Sequence, residues 1–244
     1  MTDTICKENI KLIALDLDGT LTQHKQPLTP ENKAALDSLA RKYKLLMAGA
    51  GQVMRIFNQM EHYPVDILGN YGLQYGEYQP FTKEMKIIRD LTFDCNRDDI
   101  EEKVTFLRKK YGYENFAGNN VEYHPSGCLT FPILGTAAKQ EDKLAFDPDR
   151  SKRRRIYDEV VELFSDYCVF VGGSSSFDMA PKPYNKYHAL DLYCKEHGLK
   201  HENVVYIGDD YGLGGNDESV YVSDFPYLTI DNYLDFPKVI APLL

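Results

Sequence analysis

The chain has 244 residues, enough to bury a sizeable core, either as one large domain or as a domain that carries an insertion. Its formal net charge of -9 and its pI of about 5.2 argue against a nucleic-acid or membrane-surface partner. No run approaches the roughly 18 apolar residues of a membrane span, and the N-terminus lacks the apolar segment of a signal peptide.

The cysteines bear on the cellular compartment. Their number is odd, they are scattered, and none forms a CxxC pair, so neither a disulfide framework nor a zinc site is indicated. They are Cys6, Cys95, Cys128, Cys168 and Cys194. We interpret them as free thiols in a reducing compartment, which predicts a cytoplasmic protein.

The most informative stretch is KLIALDLDGTLT, which begins at Lys11. Its apolar run predicts a strand buried on both faces, as in a parallel sheet covered by helices. The run stops at Asp16, and Asp18 follows two residues later, so both carboxylates would point the same way if the strand continued. Acids at the carboxyl end of such a strand lie where open α/β sheets bind their ligands.

The next elements continue the α/β order. Thr29 and Pro30 predict a helix start, and Lys44–Ala48 predicts a second buried strand. That strand ends in the small-residue turn Gly49, Ala50 and Gly51, followed by a helix. A strand, a small-residue turn and a helix are typical of phosphate-binding sites, because free backbone N–H groups point at the ligand.

The pattern changes from about residue 85 to about residue 182. Short strands with helices to one side predict an α+β insertion rather than further βαβ units. Within it, the charge-dense stretch Asp147–Arg155 is interpreted as a solvated helix start, in preference to an anion site. The α/β order then resumes with a helix from Lys186 and a strand that ends before Asp209.

The strand ends carry a coherent chemistry. Neighbouring carboxylates repel, and the usual remedies are a shared proton or a hard cation such as Mg²⁺. Asp16 and Asp209 suit a magnesium site, with the backbone carbonyl of Asp18 as a further ligand. Lys186 would neutralise phosphoryl oxygens, and the Asp18 carboxyl would act as acid and base. No GxGxxG motif follows the first strand, so a dinucleotide site is not predicted.

These motifs carry a family resemblance. DLDGTLT resembles the first motif of the haloacid dehalogenase superfamily of phosphotransferases. GDDYGLGGND has the long spacing of eukaryotic-type phosphomannomutases, and LTQHKQPLT, DILGNYGLQY, PILGTAAKQEDKLAFD and VGGSSSFDMAPKPYNKYHAL are similar to that family in order and spacing. The resemblance implies a core formed by residues 1–84 and 183–244. It also implies a four-stranded cap over 85–182 that closes on a hexose phosphate and mediates a homodimer.

The resemblance also implies a role for individual residues. They are Asp16 as the phosphorylated nucleophile, Asp18 as the acid/base, Asp209 as a magnesium ligand, Lys186 as the phosphate-binding lysine, Ser176 and Asp178 as substrate contacts in the cap, and Gly214–Asp217 as the loop near the metal.

Two departures from the family pattern bear on the reaction. The superfamily supplies a Ser or Thr hydroxyl at the turn where this chain has Gly51, so the contact there is expected from backbone amides. The arginines that grip a distal phosphate in phosphomannomutases are also replaced. Their positions hold Lys25, His124 or Pro125, Thr136 and Lys143. Because lysine only partly replaces the bidentate guanidinium, the mutase activity is disfavoured, and Lys25 and Lys143 are the remaining candidate contacts.

The sequence thus predicts an α/β protein, with a Rossmann-like parallel-sheet core and an inserted α+β cap. The favoured function is a Mg²⁺-dependent phosphatase that acts on a hexose phosphate, or a similar small phosphate ester, through an aspartyl phosphate. A phosphomannomutase is the first alternative. The second is a binding or regulatory protein on the same fold, which the missing hydroxyl and arginines favour and the retained acids and lysine disfavour.

Overall fold

A computed structural model describes residues 7–244, so the prediction of a free thiol at Cys6 lies outside the described residues. The chain divides into two compact units. The first, called the core unit here, comprises the described residues up to Asp90, together with Asn185–Gly212 and Asp217–Leu244. The second, called the insert, comprises Leu91–Tyr184 and Leu213–Asn216.

The bounds of the elements follow in chain order. The strands are β1 (Leu12–Leu15), β2 (Lys44–Ala48), β3 (Asp66–Gly69), β4 (Gln74–Gln79), β5 (Glu84–Asp90), β6 (Glu122–Tyr123), β7 (Leu129–Pro132), β8 (Tyr167–Phe170), β9 (Ser176–Pro181), β10 (Val204–Gly208) and β11 (Tyr227–Thr229). The helices are α1 (Pro30–Ala40), α2 (Val53–Gln59), α3 (Arg97–Tyr111), α4 (Gln140–Phe146), α5 (Ser151–Arg154), α6 (Tyr157–Leu163), α7 (Lys186–His197), α8 (Glu218–Tyr221) and α9 (Phe236–Ile240).

The core unit is built on a seven-stranded sheet in the order β11-β10-β1-β2-β3-β4-β5. The five strands from β11 to β3 run parallel, which confirms the Rossmann-like core, and β4 and β5 extend it as an antiparallel hairpin. β5 begins at the last residue of the predicted core segment 1–84, and its remaining residues, predicted to belong to the insertion, are also part of this sheet. Its side chains are mostly exposed, so no buried alternation marks it as a core strand.

Strand β1 explains why the sheet is covered on both faces. All four of its side chains are buried, and they alternate between two apolar clusters. Ile13 and Leu15 pack in the cluster to which α1, α2 and α9 contribute, and Leu12 and Ala14 pack in the cluster to which α7 contributes. The continuous apolar run of β1 is therefore what a central parallel strand requires.

The topology places the predicted site. β1 and β10 are neighbours in the sheet, and the chain continues from β1 to β2 on one side and from β10 to β11 on the other, so the connections after these two strands run in opposite directions. Open α/β sheets bind ligands at such a switch point. Asp16 follows β1, Gly49 follows β2 and Asp209 follows β10, so three predicted site positions start at this edge.

The insert contains a four-stranded antiparallel sheet in the order β6-β7-β9-β8. Its buried cluster joins Phe131 and Phe177 of the sheet to Val104 and Leu107 of α3. Helix α3 begins where Asn96 accepts a hydrogen bond from the Asp99 amide, and it ends at Gly112 in the left-handed conformation. These strands and helices match the predicted α+β character of this region.

The charge-dense stretch of the insert differs from its prediction as a solvated helix start. The Arg153 side chain is buried, and its Nε donates to Asp147 Oδ2 at 2.8 Å. Its Nη1 donates to the carbonyls of Gly172 and Ser176 at 2.6 and 3.0 Å. Asp147 in turn accepts from the Lys152 and Arg153 amides. The stretch therefore contains a buried ion pair, Asp147 and Arg153, that ties α5 to the loop before β9, whereas Asp149, Lys152 and Arg155 are exposed.

Within residues 7–244, no helix is both long and apolar enough to cross a membrane.

Candidate active site

Lys186 is the centre of a buried cluster at the carboxyl ends of the parallel strands. It is the first residue of α7, whose N-cap Asn185 accepts from the His188 amide at 2.8 Å. The Lys186 side chain is 1% exposed, and its Nζ donates at 2.7 Å both to Asp16 Oδ1 and to Asp217 Oδ1. Burial would lower the pKa of Lys186, but the two carboxylates outweigh it and raise that pKa, so the ammonium stays charged.

Asp217 is held by three donors. Besides Lys186, the Tyr206 hydroxyl donates to Oδ1 at 2.6 Å, and the Asp210 amide donates to Oδ2 at 3.0 Å. A Cβ on Gly208 would lie 2.6 Å from Asp217 Oδ2, so the small residue before Asp209 makes room for this carboxylate. The aspartate that ends the GLGGND loop is thus a fixed part of the cluster.

The Asp209 carboxylate lies against the turn of the DLDGTLT motif. Its Oδ1 accepts from the buried Thr20 hydroxyl at 2.9 Å. Gly19 has a φ of 100°, and a Cβ there would lie 2.6 Å from Asp209 Cγ, so conformation and space both require glycine. Burial, followed by the charge of Asp217, raises the pKa of Asp209 to about 6.

The cluster carries more negative than positive charge. Ligand oxygens of Asp16, Asp209 and Asp217 all lie within 4.8 Å of one another, whereas Lys186 is the cation bonded among them. Burial raises the pKa of Asp16 well above its usual range, and the charges of Asp217 and Asp209 raise it further against the opposing effect of Lys186. Three carboxylates and one ammonium leave a formal excess of two negative charges, which a divalent cation would neutralise.

The donor set fits Mg²⁺, because all three side chains offer hard carboxylate oxygens. The predicted metal ligands were Asp16, Asp209 and the backbone carbonyl of Asp18. The structure gathers the first two and adds Asp217, which the sequence placed only in a loop near the metal. Mg²⁺ bound there would supply positive charge beside the phosphoryl oxygens of a substrate.

The Asp18 carboxylate lies in a separate network of the core unit. Its Oδ1 accepts from the Lys25 amide at 2.8 Å and from Gln59 Nε2 at 2.7 Å, and Arg55 Nη2 lies 3.3 Å from Oδ2. Burial alone would raise the pKa of Asp18, but these hydrogen bonds and the Arg55 charge lower it. The two aspartates of the motif therefore have opposite environments, because burial dominates at Asp16 and donors dominate at Asp18.

The turn after β2 has one engaged amide and two available ones. The Gly49 N–H donates to the Leu68 carbonyl at 2.9 Å, so it does not point at a ligand as predicted. Within residues 7–244, the N–H groups of Ala50 and Gly51 donate to no protein acceptor. Beside the turn, the Arg55 guanidinium fills the space over Gly51, since a Cβ on that glycine would lie 2.6 Å from Arg55 Cζ.

Comparison with known families agrees with this geometry. A family model described as haloacid dehalogenase-like hydrolase matches residues 13–217, which is most of the chain and includes every acid of the cluster. The chain belongs to the haloacid dehalogenase-like hydrolase family. The predicted resemblance to that superfamily is confirmed.

Sequence relatives of this haloacid dehalogenase-like hydrolase are named phosphomannomutases, and solved structures of similar fold are named nucleotidase or phosphatase. A probable phosphomannomutase of Caenorhabditis elegans is 24% identical over 232 residues, covering 87% of this chain and 87% of the relative. An IMP-nucleotidase structure of Plasmodium falciparum aligns with a TM-score of 0.67 at 15% identity over 97% of this chain and 68% of that one. A haloalkanoate-superfamily phosphatase structure of Bacteroides thetaiotaomicron aligns with a TM-score of 0.61 at 16% identity. The alignment covers 96% of this chain and 95% of that one. At such identities, the two structures show the fold alone.

The candidate substrate residues of the insert make local hydrogen bonds in this family member. Asp178 is half-buried, accepts from the Thr130 hydroxyl at 2.9 Å, and burial raises its pKa. The Ser176 hydroxyl donates to the Gly172 carbonyl at 3.1 Å, and Lys143 Nζ donates to the Thr136 carbonyl at 3.0 Å. Their roles as substrate contacts stay predictions.

Sequence reasoning missed four side chains of the core-unit site. They are Thr20, Arg55, Gln59 and Tyr206. Thr20 stands inside the recognised motif, and it had a detectable signal as a hydroxyl next to the turn glycine. The others have no sequence signal, because Arg55 and Gln59 reach the site from one face of α2 and Tyr206 looks like any aromatic residue of a buried strand.

Proposed function

We propose that this protein is a Mg²⁺-dependent phosphatase that acts on a hexose phosphate, or a similar small phosphate ester, through an aspartyl phosphate on Asp16. The observation that carries the proposal is the cluster in which Lys186 bridges Asp16 and Asp217 beside Asp209. A module that only binds a ligand has no need for a buried nucleophile held by a lysine and flanked by two further acids.

The first chemical step uses Asp16 as the nucleophile. One carboxylate oxygen attacks the phosphorus while the bond between phosphorus and the ester oxygen breaks. Lys186 fixes the orientation of Asp16 through Oδ1 and adds a positive charge beside the developing negative charge. The leaving oxygen takes a proton from Asp18, whose contacts with Gln59 and Arg55 must loosen for that carboxyl to hold one.

The second step frees the nucleophile. Asp18 accepts a proton from a water molecule, whose oxygen attacks the phosphorus of the aspartyl phosphate. The bond between phosphorus and the Asp16 oxygen breaks, and inorganic phosphate leaves with the original carboxylate restored. The donors around Asp18 favour its ionised form, which is the form that this proton transfer requires.

A phosphomannomutase is the second candidate, and the relatives favour it. A relative named a probable phosphomannomutase aligns over 87% of the chain, although at 24% identity. Against it stands the loss of arginines that would grip a second phosphate while the sugar reorients. Thr136 provides no charge there, and Lys25 and Lys143 cannot form the bidentate fork.

A single reaction in which two products are measured distinguishes the phosphatase from the phosphomannomutase. The protein is incubated with Mg²⁺, mannose 1-phosphate and a catalytic amount of a hexose bisphosphate, and both free phosphate and mannose 6-phosphate are measured over time. We expect phosphate release to dominate. Accumulation of mannose 6-phosphate instead would support the mutase. Absence of both products, extended to a wider panel of phosphate esters, would support a binding or regulatory protein.

A further inference from the structure

Arg55 occupies the space in which a side chain at position 51 would project. A Cβ built on Gly51 would lie 2.6 Å from Arg55 Cζ, and closer still to Nε and Nη2. These distances are shorter than any contact that a real Cβ makes, so a serine or threonine at position 51 and Arg55 in this position exclude each other. The glycine thus gives the guanidinium room at the turn.

The guanidinium also lies at the edge of the sheet where the chemistry is proposed. The turn follows β2, which pairs with β1 in parallel, and Asp16 follows β1. Arg55 Nη2 is 3.3 Å from Oδ2 of Asp18, two residues beyond Asp16. Arg55 therefore lies between the turn and the second acid of the motif.

The bonds of Arg55 leave it able to bind an anion. Its Nη1 donates to Gln59 Oε1 at 2.7 Å, which orients the guanidinium from the next turn of α2. The contact with Asp18 is single and long for a charge-assisted hydrogen bond, and the Arg55 side chain is 41% exposed. A guanidinium has five N–H donors, and these two contacts use one on each of two nitrogens.

A hollow beside the guanidinium offers space for a polar ligand. It has a volume of about 440 Å³ and is lined by Lys25, Pro27, Arg55, Asn58 and Gln59. Two basic side chains and two amides therefore line one space, and Lys25, Arg55 and Gln59 among these residues also donate to the Asp18 carboxylate. The positive charge of Lys25 and Arg55 favours an anionic ligand there.

We infer that Arg55 is a substrate-binding residue whose guanidinium donates to oxygens of the transferred phosphoryl group, in the space that a side chain at position 51 would otherwise occupy. This inference rests on the proposed phosphatase function. A substrate-binding Arg55 explains why the turn can lack a hydroxyl at position 51. The longer, charged side chain four residues later reaches the space that the hydroxyl would occupy.

The test compares Arg55→Ala, Arg55→Lys, Gly51→Ser and the double variant Gly51→Ser/Arg55→Ala with the wild type. Arg41→Ala, an exposed arginine at the end of α1 in the same unit, is the matched control. Binding of inorganic phosphate with Mg²⁺ is measured by calorimetry, and hydrolysis of p-nitrophenyl phosphate gives kcat and KM. Circular dichroism and melting curves verify that each variant is folded.

We expect Arg55→Ala to weaken phosphate binding and to raise KM by roughly 10- to 100-fold, the range for a lost charge-assisted hydrogen bond. Arg55→Lys should fall between wild type and Arg55→Ala. Gly51→Ser alone should also weaken binding, because the new side chain displaces the guanidinium. The double variant should bind phosphate more tightly than Arg55→Ala, because the serine hydroxyl then has room. Arg41→Ala should match the wild type.

Other results would overturn the inference. If Arg55→Ala binds phosphate as the wild type does while kcat falls, Arg55 acts only by positioning Asp18. If the double variant binds no better than Arg55→Ala, the two side chains do not share a place. If the wild type cleaves phosphate esters and Arg55→Ala has the same phosphate affinity, kcat and KM, only the role of Arg55 is rejected. If the wild type neither binds phosphate nor cleaves any ester, the proposed function is rejected as well.

Discussion

Each unit of the protein buries a basic side chain against aspartate, and the two arrangements differ in charge balance. In the insert, Arg153 meets one carboxylate, Asp147, and further donates to backbone carbonyls. In the core unit, Lys186 bonds two carboxylates and has a third, Asp209, close by. The first cluster is formally neutral, and the second carries two excess negative charges.

The difference predicts a structural role for the insert cluster and a functional role for the core-unit cluster. A balanced pair whose remaining donors and acceptors are satisfied has no charge left for a ligand, and its loss affects mainly stability. An unbalanced cluster costs stability in the free protein and becomes favourable when a cation or a reacting group binds. The following predictions test whether the core-unit cluster is functional and the insert cluster structural.

The largest effect is expected from Asp16→Asn. The amide is a poor nucleophile, so turnover of a phosphate ester should fall by about 10⁴-fold or more. The amide oxygen can still accept from Lys186, and one excess charge disappears, so the melting temperature in EDTA should not fall. Activity assays and thermal melts measure both. Substantial remaining turnover, or an unfolded variant, would contradict the functional interpretation of the cluster.

The next largest effect is expected on stability, from Arg153→Ala. It leaves Asp147 buried without its cation, which typically costs about 3–5 kcal/mol. Urea unfolding followed by circular dichroism measures the change, and Arg155→Ala, an exposed arginine two residues later, is the control. Equal effects from the two variants would show that the buried pair contributes nothing particular to the fold.

The two clusters also differ in how far the sequence predicts them. Asp16, Lys186 and Asp209 are predictable, because each stands at a strand end or helix start that local apolar patterns reveal. Asp217 is harder to assign, because only the fold of its loop turns its carboxylate toward Lys186. Burial of Arg153 has no local signal, since the run of charges around it looks like a solvated helix start. Sequence patterns thus locate elements, whereas tertiary packing decides which charges are buried.

A moderate effect is expected from pH and metal removal together. The pKa of Asp209 is raised to about 6, against about 3.9 in an unfolded chain. The folded state therefore binds more protons between these values, so stability without metal falls as pH rises from about 4 to 6. Mg²⁺ should thus raise the melting temperature more at pH 7.5 than at about pH 5, by an amount equivalent to roughly 1.4 kcal/mol.

Asp209→Asn is the control for that experiment. It removes the titrating group, so its melting temperature in EDTA should depend less on pH over this window than that of the wild type. Asp147 works in the opposite sense, because burial is outweighed by bonds from Arg153 and the Lys152 amide that lower its pKa. The contribution of ionised Asp147 to the stability of the fold is therefore present above about pH 4 and is lost only in stronger acid. A Mg²⁺ effect of the same size at both pH values would contradict the charge imbalance.

The smallest effect is expected from Tyr206→Phe, which keeps the charges and removes one donor to Asp217. Lys186 and the Asp210 amide still hold that carboxylate, so the loss should be about 1 kcal/mol of stability and only a few-fold in turnover. Tyr227 is the matched control, because it pairs with Tyr206 in the sheet and its buried hydroxyl has no hydrogen-bond partner within residues 7–244. Tyr227→Phe should therefore leave stability unchanged or increase it. If Tyr206→Phe is equally neutral, Asp217 is fixed by Lys186 and the backbone alone, and the tyrosine is a packing residue.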